Sequence, residues 1–118
     1  MKNIVLIGNT TALWVIKRIL NEAPNIKVVA EAENDIGLHG IKTMVELQPD
    51  FIILILDIPQ LRAFGIVKKL SEMTTSKVIL ISVIDDNNYR EMAHQAGVHH
   101  FLVASEAGKN LLTIVTEG

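Results

Sequence analysis

Four groups of side chains in this 118-residue sequence carry functional groups at spacings worth a chemical reading. The first stands at the exit of Pro49-Asp50-Phe51-Ile52-Ile53-Leu54-Ile55-Leu56-Asp57-Ile58-Pro59, an apolar run that ends in a carboxylate. Asp57 in that place either does chemistry or serves as a solvated loop carboxylate capping the next helix. The second, Asn9-Thr10-Thr11, follows a short apolar run. These residues suit a helix N-cap, and the competing role is an anion or nucleotide phosphate held on the helix N-terminus. Capping is favoured, because the chain has neither a GxGxxG nor a P-loop. The third, Asp85-Asp86-Asn87-Asn88, reads as a solvated loop and cap, since no Gly or twelfth-position Glu follows to complete a calcium loop. The fourth, His94, His99 and His100, would need a chance convergence to bind metal, and is read as surface or partly buried histidine.

These groups must be positioned by secondary elements. Six large apolar residues between breakers, Phe51–Leu56, predict a strand buried on both faces. Such a strand is central in a parallel sheet, and α/β proteins place their chemistry at its C-terminal end. Ile4–Ile7 reads as strand one, and a helix follows to about Glu22 with Leu13, Ile16 and Leu20 on one stripe and Trp14 near its edge. Ile26–Ala32 alternates as a strand with one wetter face does. Asn34 or Asp35 is expected to cap a second helix reaching about Leu47, with Leu38, Ile41 and Val45 inward. Gly37 and Gly40 weaken it by about 1 kcal/mol each against Ala. A third helix is expected over about Ala63–Glu72, a strand over Val78–Val83 and a fourth helix over about Asn88–Ala96, stopped by Gly97. His100–Val103 makes a fifth strand, and Ser105 or Glu106 opens a last helix with Leu111, Leu112 and Val115 inward. Met44, Met73 and Met92 are expected to fill packing gaps. Five strands alternating with five helices predict an α/β, doubly wound, parallel (βα)5 sheet with right-handed crossovers.

Composition bounds the rest. The length suits one domain, residues 1–118, and 49% hydrophobic residues are enough for a core. A net charge of −2 gives no basic field for nucleic acid. No cysteine means no disulfide and no Cys-based zinc site. No run approaches the ~18 apolar residues of a membrane span, and Met1-Lys2-Asn3 leads into a strand rather than a signal peptide. A cytoplasmic location without membrane contact is the expectation.

Three stretches carry a family resemblance: Leu20–Glu33; Gln48-Pro49-Asp50 through Pro59 with Phe64–Leu70; and Val78–Asp86 with Ala96-Gly97-Val98-His99-His100-Phe101-Leu102-Val103. Through them the whole chain resembles the receiver domain of bacterial response regulators, the phosphoryl-accepting half of two-component signalling. The resemblance implies a flavodoxin-like sheet of strand order 2-1-3-4-5. It also implies a site: an acidic pair after strand one holding Mg²⁺, an Asp ending strand three that accepts a phosphoryl group, a hydroxyl ending strand four, and a Lys after strand five.

This sequence departs from that pattern. The acidic pair falls on Gly8 and Asn9, the acceptor on Ile55 when Pro59 is matched to the family's loop Pro, and the Lys on Ala104; the hydroxyl, Ser82, is kept. The switch aromatic falls on Phe101, which lacks a hydroxyl. Carboxylates and counter-charge are thus lost together. The expectation is a pseudo-receiver with no Mg²⁺ and no enzyme activity. It would act by protein contact or homodimerisation through the face of helix four, strand five and helix five, where Tyr89, Met92, Phe101, Leu111 and Ile114 lie. An appended DNA-binding domain is what such a receiver would regulate. Two alternatives stand beside it. A register slip of two keeps side-chain parity and would let Asp57 serve as acceptor. A small-ligand or anion sensor would use Asn9, Thr10, Ser82 and the space at Ala104.

Overall fold

The computed structural model describes residues 1–34, 36–55 and 60–117. Five strands, β1 Lys2–Gly8, β2 Ile26–Ala32, β3 Phe51–Ile55, β4 Lys77–Ser82 and β5 His100–Val103, form one sheet. Between and after them run α1 Thr10–Leu20, α2 Leu38–Glu46, α3 Gln60–Met73, α4 Asn87–Ala96 and α5 Ala107–Glu117. A short 3₁₀ turn, Ala104–Glu106, joins β5 to α5. All pairings are parallel, and the strand order is β2-β1-β3-β4-β5. This is the doubly wound arrangement expected from the alternation of elements.

Side-chain alternation divides the sheet's apolar residues between two cores. Val5, Ile7, Ile52, Leu54, Val78 and Leu80 face one side and meet Ile41 of α2, Val67 and Leu70 of α3 and Ala93 of α4. Ile4, Leu6, Phe51, Ile53, Ile79 and Ile81 face the other and meet Leu13 and Ile16 of α1 and Leu111 and Val115 of α5. Each of β1, β3 and β4 therefore needs apolar residues at consecutive positions, which is why their sequences do not alternate. At about 25 cal/mol per Å² of apolar surface removed from water, this two-sided burial is the main stabilising contribution.

Helix ends follow local chemistry. Asn9 caps α1, its Oδ1 accepting from the Ala12 N–H at 2.8 Å. Asp86 caps α4 through the N–H groups of Asn88 and Tyr89. Gly97 ends α4 with a left-handed φ of 117°, which a side chain would resist.

Other expectations are corrected. α2 begins at Leu38, and its N-cap is Gly37, which offers no side-chain bond, rather than Asn34; Asp35 lies outside the described residues. Leu38 is exposed instead of inward: it is the first residue of α2, nearly one turn ahead of Ile41, where the burial of this helix begins. Met44 and Met73 pack against the core as expected, but Met92 is exposed on α4. α3 starts at Gln60, earlier than Ala63, and β4 ends at Ser82, leaving Val83 in solvent.

Candidate functional site

The C-terminal edge of the sheet gathers Gly8, Asn9, Ile55, Ser82 and Ala104. Register places Gly8 beside Ile55, Ile55 beside Ile81, and Ser82 beside Val103, the last residue before Ala104. The family resemblance matched these positions to one site, and the sheet brings them to one edge. Asp57 lies outside the described residues.

Gly8 has the most constrained geometry of the five. It is buried, and β3 passes so close that a Cβ on residue 8 would lie 2.5 Å from the Ile55 carbonyl oxygen and 3.2 Å from Leu13 Cδ2. Carbon and oxygen atoms do not approach that closely without a bond, so any side chain here requires β1 or β3 to move. Position 8 is thus closed to a carboxylate by the backbone of the neighbouring strand as well as by its present identity.

The other positions are also committed. The Asn9 amide oxygen is engaged in the α1 cap, and α1 has no acidic residue in its first turn. The first residue of α1, Thr10, donates its hydroxyl to Glu33 Oε1 at 3.0 Å, which sets a carboxylate beside the helix N-terminus. Ile55 is partly buried and packs against the α1–α5 core. Ala104 is exposed and brings no charge to the edge.

Ser82 is buried with its hydroxyl engaged. Its Oγ accepts from the Ile84 N–H at 2.9 Å and donates to the Ile84 carbonyl at 3.2 Å. The Tyr89 hydroxyl lies close enough to Ser82 to feel it electrostatically. A serine hydroxyl has one proton to give, and here the Ile84 carbonyl accepts it. Burial pushes the Tyr89 hydroxyl's pKa up, and Ser82 opposes that rise.

Tyr89 connects this edge to the α4 side. Its ring lies 5.0 Å from Phe64 of α3 and 5.8 Å from Phe101 of β5, the latter edge-to-face at 64°. Phe101 is buried between Tyr89 and Arg90, whose guanidinium sits 4.7 Å over the ring and reaches the Phe101 carbonyl at 3.4 Å. Of the five residues expected to form the α4–β5–α5 face, Tyr89, Phe101 and Leu111 are buried, Ile114 is partly so and Met92 is 40% exposed. The Tyr89–Ser82 contact was not read from the sequence. The available signal is a Tyr two residues into the helix after a strand-ending Ser, which fits surface and core equally well.

The family's Mg²⁺ does not fit the described residues. Gly8 and Asn9 present no carboxylate, and no group of three or more His, Asp or Glu suited to a metal occurs among the described residues. Two of the three histidines on the opposite edge, His94 and His99, serve backbone groups instead. His99 Nδ1 accepts from the Val78 N–H at 3.0 Å, and His94 Nδ1 contacts the Val98 carbonyl at 3.0 Å.

No family model matches this chain. The nitrate/nitrite response regulator protein NarL of Escherichia coli is 31% identical over 98 residues, which span 82% of this chain and 44% of the relative. A protein-glutamate methylesterase/protein-glutamine glutaminase of Methanospirillum hungatei is 30% identical over 87 residues, 73% of this chain and 24% of the relative. The chain thus spans less than half the length of these curated relatives. Among solved structures, the response regulator domain of Thermotoga maritima CheB superposes with a TM-score of 0.81 at 20% identity, covering 99% of this chain and 95% of that one. No helix among the described residues is long and apolar enough to cross a membrane. Kinship over most of the sequence, together with the 2-1-3-4-5 parallel sheet, makes this chain a member of the response-regulator receiver family.

Proposed function

We propose that this receiver domain has given up phosphoryl transfer and works in two-component signalling as a protein-contact module without catalytic activity of its own. The reading rests chiefly on Gly8, whose place against the Ile55 carbonyl leaves no room for the family's metal-binding carboxylate. Three further features support it. Ile55 offers no nucleophile, Ala104 offers no cation to stabilise a transferred charge, and the Ser82 hydroxyl is engaged with the Ile84 backbone. The contact surface in this reading is the α4–β5–α5 face, held in one arrangement by the Phe64–Tyr89–Phe101 stack instead of by a phosphoryl group. The curated relatives extend well beyond the matched region, so an appended output domain in a cytoplasmic regulator is part of the proposal. A sensor of anions at the start of α1 is disfavoured by the Glu33 carboxylate bonded to Thr10.

The test is incubation with a small-molecule phosphodonor and Mg²⁺, followed by intact-mass measurement. The expected result is no stable gain of one phosphoryl group. A gain that disappears in Asp57→Ala would establish the competing reading, a working acceptor at Asp57.

A further inference from the structure

We infer that the N-terminal edge of the sheet carries a binding groove for a small zwitterion, a free α-amino acid or a di- or tripeptide with its ammonium and carboxylate groups uncapped. The groove measures about 950 Å³ and lies at the ends of α2 and α3 and the first residues of β1, β3 and β4. Small-molecule sites commonly enclose about 300–1,000 Å³. Gly8, Ile55 and Ser82 lie at the other ends of the same strands, so the inference goes beyond the proposed function and does not rest on it.

The frame of the groove is fixed. Buried Ser76 donates its hydroxyl to the Pro49 carbonyl and so ties the α3–β4 turn to the α2–β3 turn. Thr74 Oγ1 accepts from the Ser76 N–H at 3.0 Å and donates to Ser76 Oγ at 2.8 Å. Asp50 Oδ2 accepts from the Asn3 N–H at 2.8 Å. Gln48 holds a left-handed φ of 50°, the one residue other than glycine to do so among the described residues. Strain of this kind clusters where a ligand is clamped.

The groups left over define the ligand. The side chains of Gln48, Glu72, Thr75 and Lys77 line the groove and enter no hydrogen bond or ion pair among the described residues. α2 and α3 both end here without a basic residue in the last turn. A helix end carries partial negative charge on its open carbonyls, and the Ser71, Glu72 and Met73 carbonyls meet no N–H beyond the end of α3. With the Glu72 carboxylate beside them, this flank suits an ammonium group and its three donors. The other flank is cationic. Lys2 opens β1 and Lys77 opens β4. The Lys2 ammonium donates to the Thr116 carbonyl at 3.3 Å, which leaves Lys77 uncommitted for a carboxylate. A wholly anionic ligand would meet Glu72 and the helix ends, and a wholly cationic one would meet Lys77. A molecule with one charge of each sign satisfies both flanks. Val45 and Met73, partly buried against the core, give its carbon atoms an apolar floor.

The experiment is a proton–nitrogen NMR titration of the 118-residue chain at neutral pH with glycine, L-alanine, L-glutamine, diglycine and trialanine. Ethylamine, acetate and inorganic phosphate serve as single-charge controls. The expected result is saturating shifts at Gln48 and residues 74–77 for at least one zwitterion, with a Kd below about 1 mM. Whether the amino acids or the peptides bind more tightly names the source. Acetylating the ammonium or amidating the carboxylate should each weaken binding by about tenfold or more, as should Glu72→Gln and Lys77→Gln, since each removes a charge-assisted hydrogen bond. Both residues are exposed, so the variants keep the fold, which circular dichroism verifies. The inference is overturned if no zwitterion saturates, if a single-charge control binds as tightly as the zwitterions, or if either variant binds as well as the parent chain. None of these outcomes alters the phosphodonor result, so the two readings fail separately.

Discussion

Replacing Gly8 tests the steric basis of the silent site directly. In Gly8→Ala the new methyl carbon would start 2.5 Å from the Ile55 carbonyl oxygen and 3.2 Å from Leu13 Cδ2. Leu13 has rotamers to give, but the carbonyl belongs to a central strand paired on both sides, to β1 and to β4. Relief must come from parting β1 from β3 at their C-terminal ends, where the Ile7–Leu54 and Gly8–Ile55 pairs sit. Overpacking of this kind costs about 1–3 kcal/mol. For a domain of this size that corresponds to a fall in Tm of roughly 3–15 °C. Gly8→Asp adds a carboxylate at a buried position with no cation supplied by Asn9 or Ala104, so it should cost more than Ala. The assay is urea denaturation followed by circular dichroism, supported by thermal melts, with the denaturant midpoint falling at unchanged slope. Mg²⁺ should not rescue the Asp variant. If Gly8→Ala is neutral within about 0.5 kcal/mol, a typical surface-substitution effect, the edge relaxes freely and the steric argument fails. If Gly8→Asp is stabilised by Mg²⁺, the pocket is closed by residue identity alone.

Three further predictions follow from neighbouring contacts. Asn9→Ala removes the α1 cap and should lower stability by about 1 kcal/mol, with Asn9→Asp or Asn9→Ser largely preserving it, as denaturant midpoints will report. Ser82→Ala strands the Ile84 N–H and removes the contact with Tyr89, and should cost about 1–3 kcal/mol. Tyr89→Phe should cost less, and a double-mutant cycle should return a coupling of roughly 0.5–1.5 kcal/mol, whereas strict additivity would deny the contact. The third concerns pH. His100 has its pKa lowered first by burial and then by the charges of Lys77, His99 and His94. The unfolded chain therefore binds a proton more readily than the folded one, and stability rises with pH. This contribution should be fully present above about pH 6.5, the ordinary histidine value, and be lost as pH falls below it. His100→Asn should flatten that part of a pH–Tm curve, and an unchanged slope would show that His100 is not its source.

Much of this protein was set by sequence alone. Unbroken apolar runs at Ile4–Ile7, Phe51–Ile55 and Val78–Ile81 dictate strands buried on both faces, because side chains alternate and both sides must be apolar. Alternation with amphipathic helices then leaves few topologies besides the parallel doubly wound sheet. The absence of charge at Gly8, Asn9, Ile55 and Ala104 is equally a matter of identity, legible once those positions were matched to a family's site.

Tertiary structure decided what each position can do. Whether Gly8 is merely not acidic or closed to any side chain depends on how near β3 passes, a distance set by strand register over many residues. Ser82 kept its hydroxyl, but its availability depends on how the chain turns after β4 and sets the Ile84 backbone against it. Leu38 and Trp14 illustrate the same limit from the outside. Helical periodicity ranks residues around an axis, yet only the packed neighbours determine where the buried arc begins and ends, and so which apolar side chains are left facing water.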